Sequence, residues 1–256
     1  MTPPTETRAS SRRNGHKPKK TATLLAQRIV GEIADGNLAP GTPLQSEKDM
    51  LERYQLARGT LREALRFLEI QGVISIKTGP GGGPIVAEPG SRHLASNLAM
   101  VLQLEGAPFA AVLDARTTLE PTLAARAAEN ITEEQLEELR ASMDRMSEHI
   151  DDPGIFLDEN ENFHAIIAQA SNNAVFSNVM AALHWIIDGT RLGVEYETRQ
   201  RKSVLKQHQN IYDRIAAGDA EGSAAAMASH IGDFAKFLAK RYPAVVDAPI
   251  RWDQID

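Results

Sequence analysis

The chain has no cysteine, which excludes disulfides and thiolate metal sites and suits a reducing, cytoplasmic setting. It has no apolar run near the roughly eighteen residues that a membrane span requires. Its polar, basic N-terminus lacks the hydrophobic segment of a secretory signal. No internal repeat is visible either. What remains is a cytoplasmic, globular protein with no membrane partner, and 256 residues are enough for two modest domains with separate cores.

What is present is distributed unevenly. The formal net charge is −6, yet residues 1–87 carry 13 Lys and Arg against 8 Asp and Glu. The rest of the chain is strongly acidic. A basic front half on an acidic chain is the pattern expected when only one end meets phosphate.

Residues 1–20 are rich in Pro, Ser, Thr, Arg and Lys with little to bury, so they read as a disordered basic arm. Arg8, Arg12, Arg13, Lys17, Lys19 and Lys20 either touch a DNA backbone or belong to a solvated tail without a role. From Thr21 to Asp35, Leu25, Ile29 and Ile33 recur every four residues, the stripe of an amphipathic helix. Ser46 and Asp49 have the spacing of a capping box opening a second helix that runs to Tyr54. A third helix is expected from Arg58 to Gln71, with Leu61, Leu65 and Leu68 inward and Gly72 as its stop. Two short strands, Val73–Lys77 and Pro84–Val86, flank a Gly/Pro-rich tip. Residues 21–88 thus predict a winged helix-turn-helix. Beyond Ser91 seven helical segments are expected, near 92–104, 107–129, 132–150, 154–171, 174–190, 197–217 and 219–241. Their short connections predict an all-α antiparallel bundle over 91–242, followed by a C-terminal tail at 243–256.

A helix lying in the major groove presents long polar side chains from its first turns. Arg58, Thr60 and Arg62 occupy those turns, and Arg66 follows one turn later. Arginine suits the task because its fork donates two hydrogen bonds to guanine O6 and N7. Lys48 is placed to meet a phosphate, and the glycine run from Gly79 lets the wing backbone approach DNA closely. The alternative for the arginines, a solvated face with local ion pairs, is outweighed by the order of the elements around them. A nucleotide-phosphate loop is a poor match for the glycines, since no Lys-Ser/Thr follows them and they lead into a strand.

Leu44, Ser46, Glu47, Arg58, Leu61, Arg62, Glu63, Ala64 and Leu65 follow in order the pattern of the GntR family of bacterial transcription regulators, which this segment resembles. The resemblance implies DNA contacts by Lys48, Arg58, Thr60, Arg62 and the wing Gly79. Two positions depart from the pattern. Gln45 stands for proline, and Ala57 for the Ser or Thr that caps the recognition helix, a hydroxyl worth about 1 kcal/mol.

In the helical half, Asn160 and His164 lie one turn apart on one face, and His208 and His230 fall on the last two long helices. Three imidazoles and an oxygen make a credible divalent metal site if the bundle brings them together. Spacing across separate helices leaves open that they are ordinary core or surface residues. His16, His93, His149 and His184 are read that way. The motifs Arg116-x-x-x-Glu120, Phe163-His164 to Asn172, and His208, Gly218-Asp219, His230 resemble the FCD ligand-binding domain of the FadR subfamily. That resemblance implies a metal ion, zinc or nickel, held by His164, His208, His230 and Asn160 in the place of an Asp or Asn. Asp158, Glu159 and Glu161 are directed elsewhere by helical phase. It also implies a small carboxylate effector, for which Arg116 is the counter-charge unless it is spent on an i,i+4 pair with Glu120.

The expected function is a homodimeric, ligand-responsive regulator, a repressor on a palindromic double-stranded operator, and not an enzyme. A metal-dependent enzyme would need a general acid or base beside a metal-bound water, and no motif supplies one. A bundle serving only dimerisation is the remaining alternative.

Overall fold

A computed structural model describes residues 21–79, 82–88, 90–187 and 193–254. The expected N-terminal arm lies outside the described residues, as do Pro80 and Gly81 of the wing tip. The chain divides into two compact units, residues 1–89 and 90–256.

In the first unit α1 (Thr21–Asp35), α2 (Glu47–Tyr54) and α3 (Arg58–Ile70) precede an antiparallel pair, β1 (Ile74–Lys77) and β2 (Gly83–Val86). The predicted stripes form its core. Leu25 and Ile29 of α1 meet Leu61, Leu65 and Leu68 of α3, with Met50 of α2 and Ile74 of β1 closing the cluster. Each such side chain contributes about 1.5–3 kcal/mol by leaving water. Ser46 caps α2: its hydroxyl oxygen accepts from the Asp49 N–H at 3.2 Å and its O–H donates to the Asp49 carboxylate at 2.7 Å. α3 has no side-chain cap at Ala57. It ends in a Schellman motif, where Gly72 N–H donates to Glu69 and Val73 N–H to Leu68, with Gly72 at φ +69°. Ile74 pairs with Val86 across the hairpin. The segment before α2 adds to its edge, with Leu44 N–H donating to Pro84 at 2.9 Å. This is a winged helix-turn-helix.

The second unit is helical: α4 (Ser91–Glu105), α5 (Phe109–Asn130), α6 (Glu133–Glu148), α7 (Pro153–Ala170), α8 (Ala174–Ile187), α9 (Thr198–Ala216) and α10 (Ala220–Arg241). The last part of the expected 174–190 helix lies outside the described residues. α5 runs against α10, with Ala124 and Ala127 fully buried and short enough to let the helices approach closely. Among the described residues no helix is long and apolar enough to cross a membrane.

The segment read as a C-terminal tail is not loose. It forms α11 (Pro243–Val246) and a 3-10 turn at Trp252–Gln254, and it packs on its own unit. Phe109 N–H donates to Ala248 at 2.9 Å, Ile250 N–H to Ala107 at 3.0 Å, and Trp252 Nε1–H to Ser96 at 2.7 Å. Ile250 is buried with the core. The strap escaped the sequence reading because its apolar residues, Val245, Val246 and Ile250, follow no helical period.

Candidate functional site

On the first unit, Arg58, Arg62 and Arg66 form an exposed ridge on α3, opposite the buried Leu61, Ala64, Leu65 and Leu68. Thr60 is half-buried in the first turn. Arg62 reaches Glu47 at 3.3 Å, not its neighbour Glu63, and Arg66 reaches Glu69 at 3.0 Å. Both pairs are open to solvent and worth little, so neither holds its arginine back from another partner. Lys48 and Arg58 are exposed and make no ion pair among the described residues. Gly79 is exposed on the wing at φ +98°.

On the second unit, α5, α7, α8, α9 and α10 enclose a cavity of about 290 Å³ lined by Arg116, Asn160, His164, His184 and His230, among others. Local structure sets these side chains in place. Asp152 caps α7, accepting from Gly154 and Ile155, ahead of the turn that carries Asn160 and His164. Asp219 caps α10, accepting from Gly222 N–H at 2.9 Å. A Cβ at Gly222 would lie 2.1 Å from that carboxylate, so this cap requires glycine. The Gly-Asp pair of the sequence motif therefore starts the helix that presents His230.

His164, His208 and His230 converge although 66 residues separate the first from the last. Nε2 of His230 lies 3.3 Å from Nε2 of His208 and 3.3 Å from Nε2 of His164. All three rings are buried. Their outer nitrogens have different surroundings. His230 Nδ1 lies 2.9 Å from Gln207 Oε1, and His164 Nδ1 lies 2.6 Å from Glu120 Oε2, outside hydrogen-bond alignment. His208 Nδ1 has no hydrogen-bond partner, and its ring stacks on Phe163 at 3.9 Å. Burial is the largest cause holding all three below the ordinary imidazole value: His208 falls well below it and His230 to about 3. They are neutral at physiological pH, the form that binds metals.

A proton on Nδ1 leaves Nε2 of His230 as a bare lone pair aimed at its neighbours, an arrangement that a cation relieves. Two nitrogens about 2.05 Å from a tetrahedral ion stand about 3.3 Å apart, which matches the spacing here. Asn160 lines the same cavity, one turn from His164. The donor set therefore fits a metal ion. A second buried group, Glu120, His164 and His184, shares one of its histidines.

Arg116 makes the i,i+4 pair and also reaches the cavity. Its Nε donates to Glu120, and its guanidinium also lines the cavity, 5.6 Å from the Phe234 ring centre. Among the described residues its terminal nitrogens make no hydrogen bond. Burial drives the Glu120 carboxyl up, but Arg116 and His164 outweigh it and hold the group well below the usual carboxylate range.

Three positions differ from the sequence reading. His184, taken as an ordinary core residue, is buried in the cavity wall with its Nε2 3.6 Å from Glu120. Its only signal was one histidine within the apolar α8. Asp158 and Glu161, expected to point away from the metal ligands, line the cavity, but neither belongs to a possible metal group among the described residues. Glu159 does turn away, to Ser142 and Arg145. His93 and His149 do not line the cavity, and His16 lies outside the described residues.

Comparison with known proteins matches both units. Residues 21–82 match the bacterial regulatory proteins, gntR family, and residues 111–233 match the FCD domain. The chain is 32% identical over 201 residues to the uncharacterized HTH-type transcriptional regulator YcbG of Bacillus subtilis (strain 168), covering 78% of this chain and 82% of that protein. It is 27% identical to the HTH-type transcriptional repressor NanR of Enterobacter sp. (strain 638), covering 87% and 86%. It is 26% identical to the HTH-type transcriptional regulator LutR of Bacillus subtilis (strain 168), covering 78% and 92%. In fold it is similar to Streptococcus agalactiae GntR, with a TM-score of 0.66 at 21% identity over 84% of this chain and 99% of that one.

Proposed function

The chain belongs to the GntR family of bacterial regulatory proteins and carries an FCD domain, and on that premise we propose that it is a cytoplasmic, homodimeric repressor released from a palindromic operator by a small carboxylate. The observation that carries the reading is the convergence of three neutral imidazoles beside a cavity that also holds Arg116. His164, His208 and His230 would hold a zinc or nickel ion through their Nε2 atoms, with Asn160 beside them. The ion would supply an electrophilic centre for a carboxylate.

The chain's own residues do the rest. Arg116 offers to the same carboxylate its two terminal guanidinium nitrogens, which make no hydrogen bond among the described residues. Tyr196, Phe234 and Phe237 give the cavity an aromatic side that suits a short carbon skeleton and limits water. On DNA, Arg58, Thr60, Arg62 and Arg66 read base edges, while Lys48 and the wing Gly79 contact the backbone. A twofold dimer supplies the second reading helix for the other half-site. Effector binding changes the operator affinity because it favours one arrangement of the protein over another.

The test is an electrophoretic shift on the protein's own upstream DNA, with zinc or nickel loaded and candidate carboxylates titrated. The expected result is a sequence-specific complex that Arg62→Ala loses and one class of acid dissociates. Binding competed equally by any DNA would overturn the operator reading, and indifference to every acid would overturn the carboxylate.

A further inference from the structure

Glu120 is 3% exposed and sits midway along α5, and its two oxygens face different partners. Oε1 accepts from Arg116 Nε and lies 3.6 Å from His184 Nε2, while Oε2 lies 2.6 Å from His164 Nδ1. On the far side of that imidazole, Nε2 faces the other two histidines. A neutral imidazole has one proton to place. A carboxylate beside one nitrogen favours the proton there and leaves the other nitrogen as a lone pair.

We propose that Glu120 is a positioning residue for the metal site: it keeps the proton of His164 on Nδ1, turns Nε2 toward the ion, and couples that imidazole to Arg116 in the cavity wall. The inference rests on the metal reading above. It is specific to His164, because the three rings are held in three ways. Among the described residues Gln207 supports His230 with a neutral oxygen, Phe163 stacks on His208, and His164 alone of the three has a carboxylate beside it. Glu120 also links two ligands. A carboxylate on the terminal nitrogens of Arg116 and an ion on His164 address opposite ends of one anion, so occupancy of either changes the affinity for the other by the same factor.

Zinc affinity of the full-length protein, measured by competition with a chromogenic chelator, tests the assignment. Glu120→Gln alone strands the buried Arg116 charge and endangers the fold. The informative variant is therefore the double change Arg116→Met with Glu120→Met, which removes the acceptor oxygen and leaves the net charge beside His164 unaltered. A purely electrostatic role predicts wild-type affinity for it. Positioning predicts a loss of roughly 10- to 100-fold. Glu120→Asp, which keeps the ion pair but retracts the oxygen, should lose an intermediate share. Nitrogen-15 spectra of the metal-free protein read the same point without zinc: His164 should be the Nδ1–H tautomer in wild type and a mixture in the double variant. Unchanged zinc affinity with an unchanged tautomer overturns the proposal. Wild-type protein that binds no zinc, or binds it equally after His208→Ala, overturns the underlying metal reading instead.

Discussion

The two units carry their candidate sites in opposite ways. In the first, Lys48, Arg58, Arg62 and Arg66 stand in water on two consecutive helices. In the second, His164, His208 and His230 are buried and come from three helices spread over 66 residues. Under the proposed function the contrast follows from the size of each ligand. A duplex cannot enter a protein, so its reader must project solvated cations. A metal ion with a small ligand must be taken out of water, so its donors lie inside and give up their charged forms.

Acid should produce the largest separation between the units. Burial holds His164, His208 and His230 below the ordinary value of 6.5, which the unfolded chain retains. Below that pH the unfolded state takes up protons that the folded state refuses, so stability falls as pH drops. Each imidazole that stays neutral in the folded state contributes at most about 1.4 kcal/mol per pH unit, a slope approached only once pH is well below 6.5. The first unit has no histidine among its described residues. Calorimetry of metal-free protein between about pH 7.5 and 5.5 should shift one transition steeply and leave the other in place. Two transitions moving in step would break the contrast.

The next effect concerns the exposed ridge. Arg62→Ala should weaken operator binding by about 1–3 kcal/mol and relax the preference at one base pair. Lys48→Ala should weaken all sequences alike and lower the salt slope by about one. Binding titrations at several salt concentrations separate the two. A uniform loss in Arg62→Ala would make it a phosphate contact. Neither change should disturb the fold, since the Arg62–Glu47 pair is exposed. The smallest effect sharpens the contrast from the other side. Ala57→Ser restores a cap to α3 and should stabilise the first unit alone by about 1 kcal/mol, visible as a rise in its own melting transition.

Legibility in the sequence divides along the same line. The reader was legible almost to the residue: α1 has the expected bounds, and the stripe of α3, its missing cap and its glycine stop all appear. These are local properties, written within one or two helical turns. In the bundle the helices were equally legible, but the site depends on which faces oppose one another. The motif named His164, His208 and His230, whereas His184 and Gln207 had no local period or spacing to mark them. The role of Arg116 was left between an effector counter-charge and an i,i+4 pair; the packing shows the pair and puts the residue on the cavity wall, which sequence spacing could not reveal.

The strap at 243–254 has a consequence for the path of folding. Trp252 meets Ser96 across 156 positions of chain, and its backbone meets Gln103 across 149. Closing so long a loop costs more chain entropy than joining neighbouring helices, so this seam is expected to form after the adjacent pairs α6–α7 and α9–α10. Held by few contacts, the seam opens before the rest, and its amides should exchange with solvent ahead of those of α5 and α10.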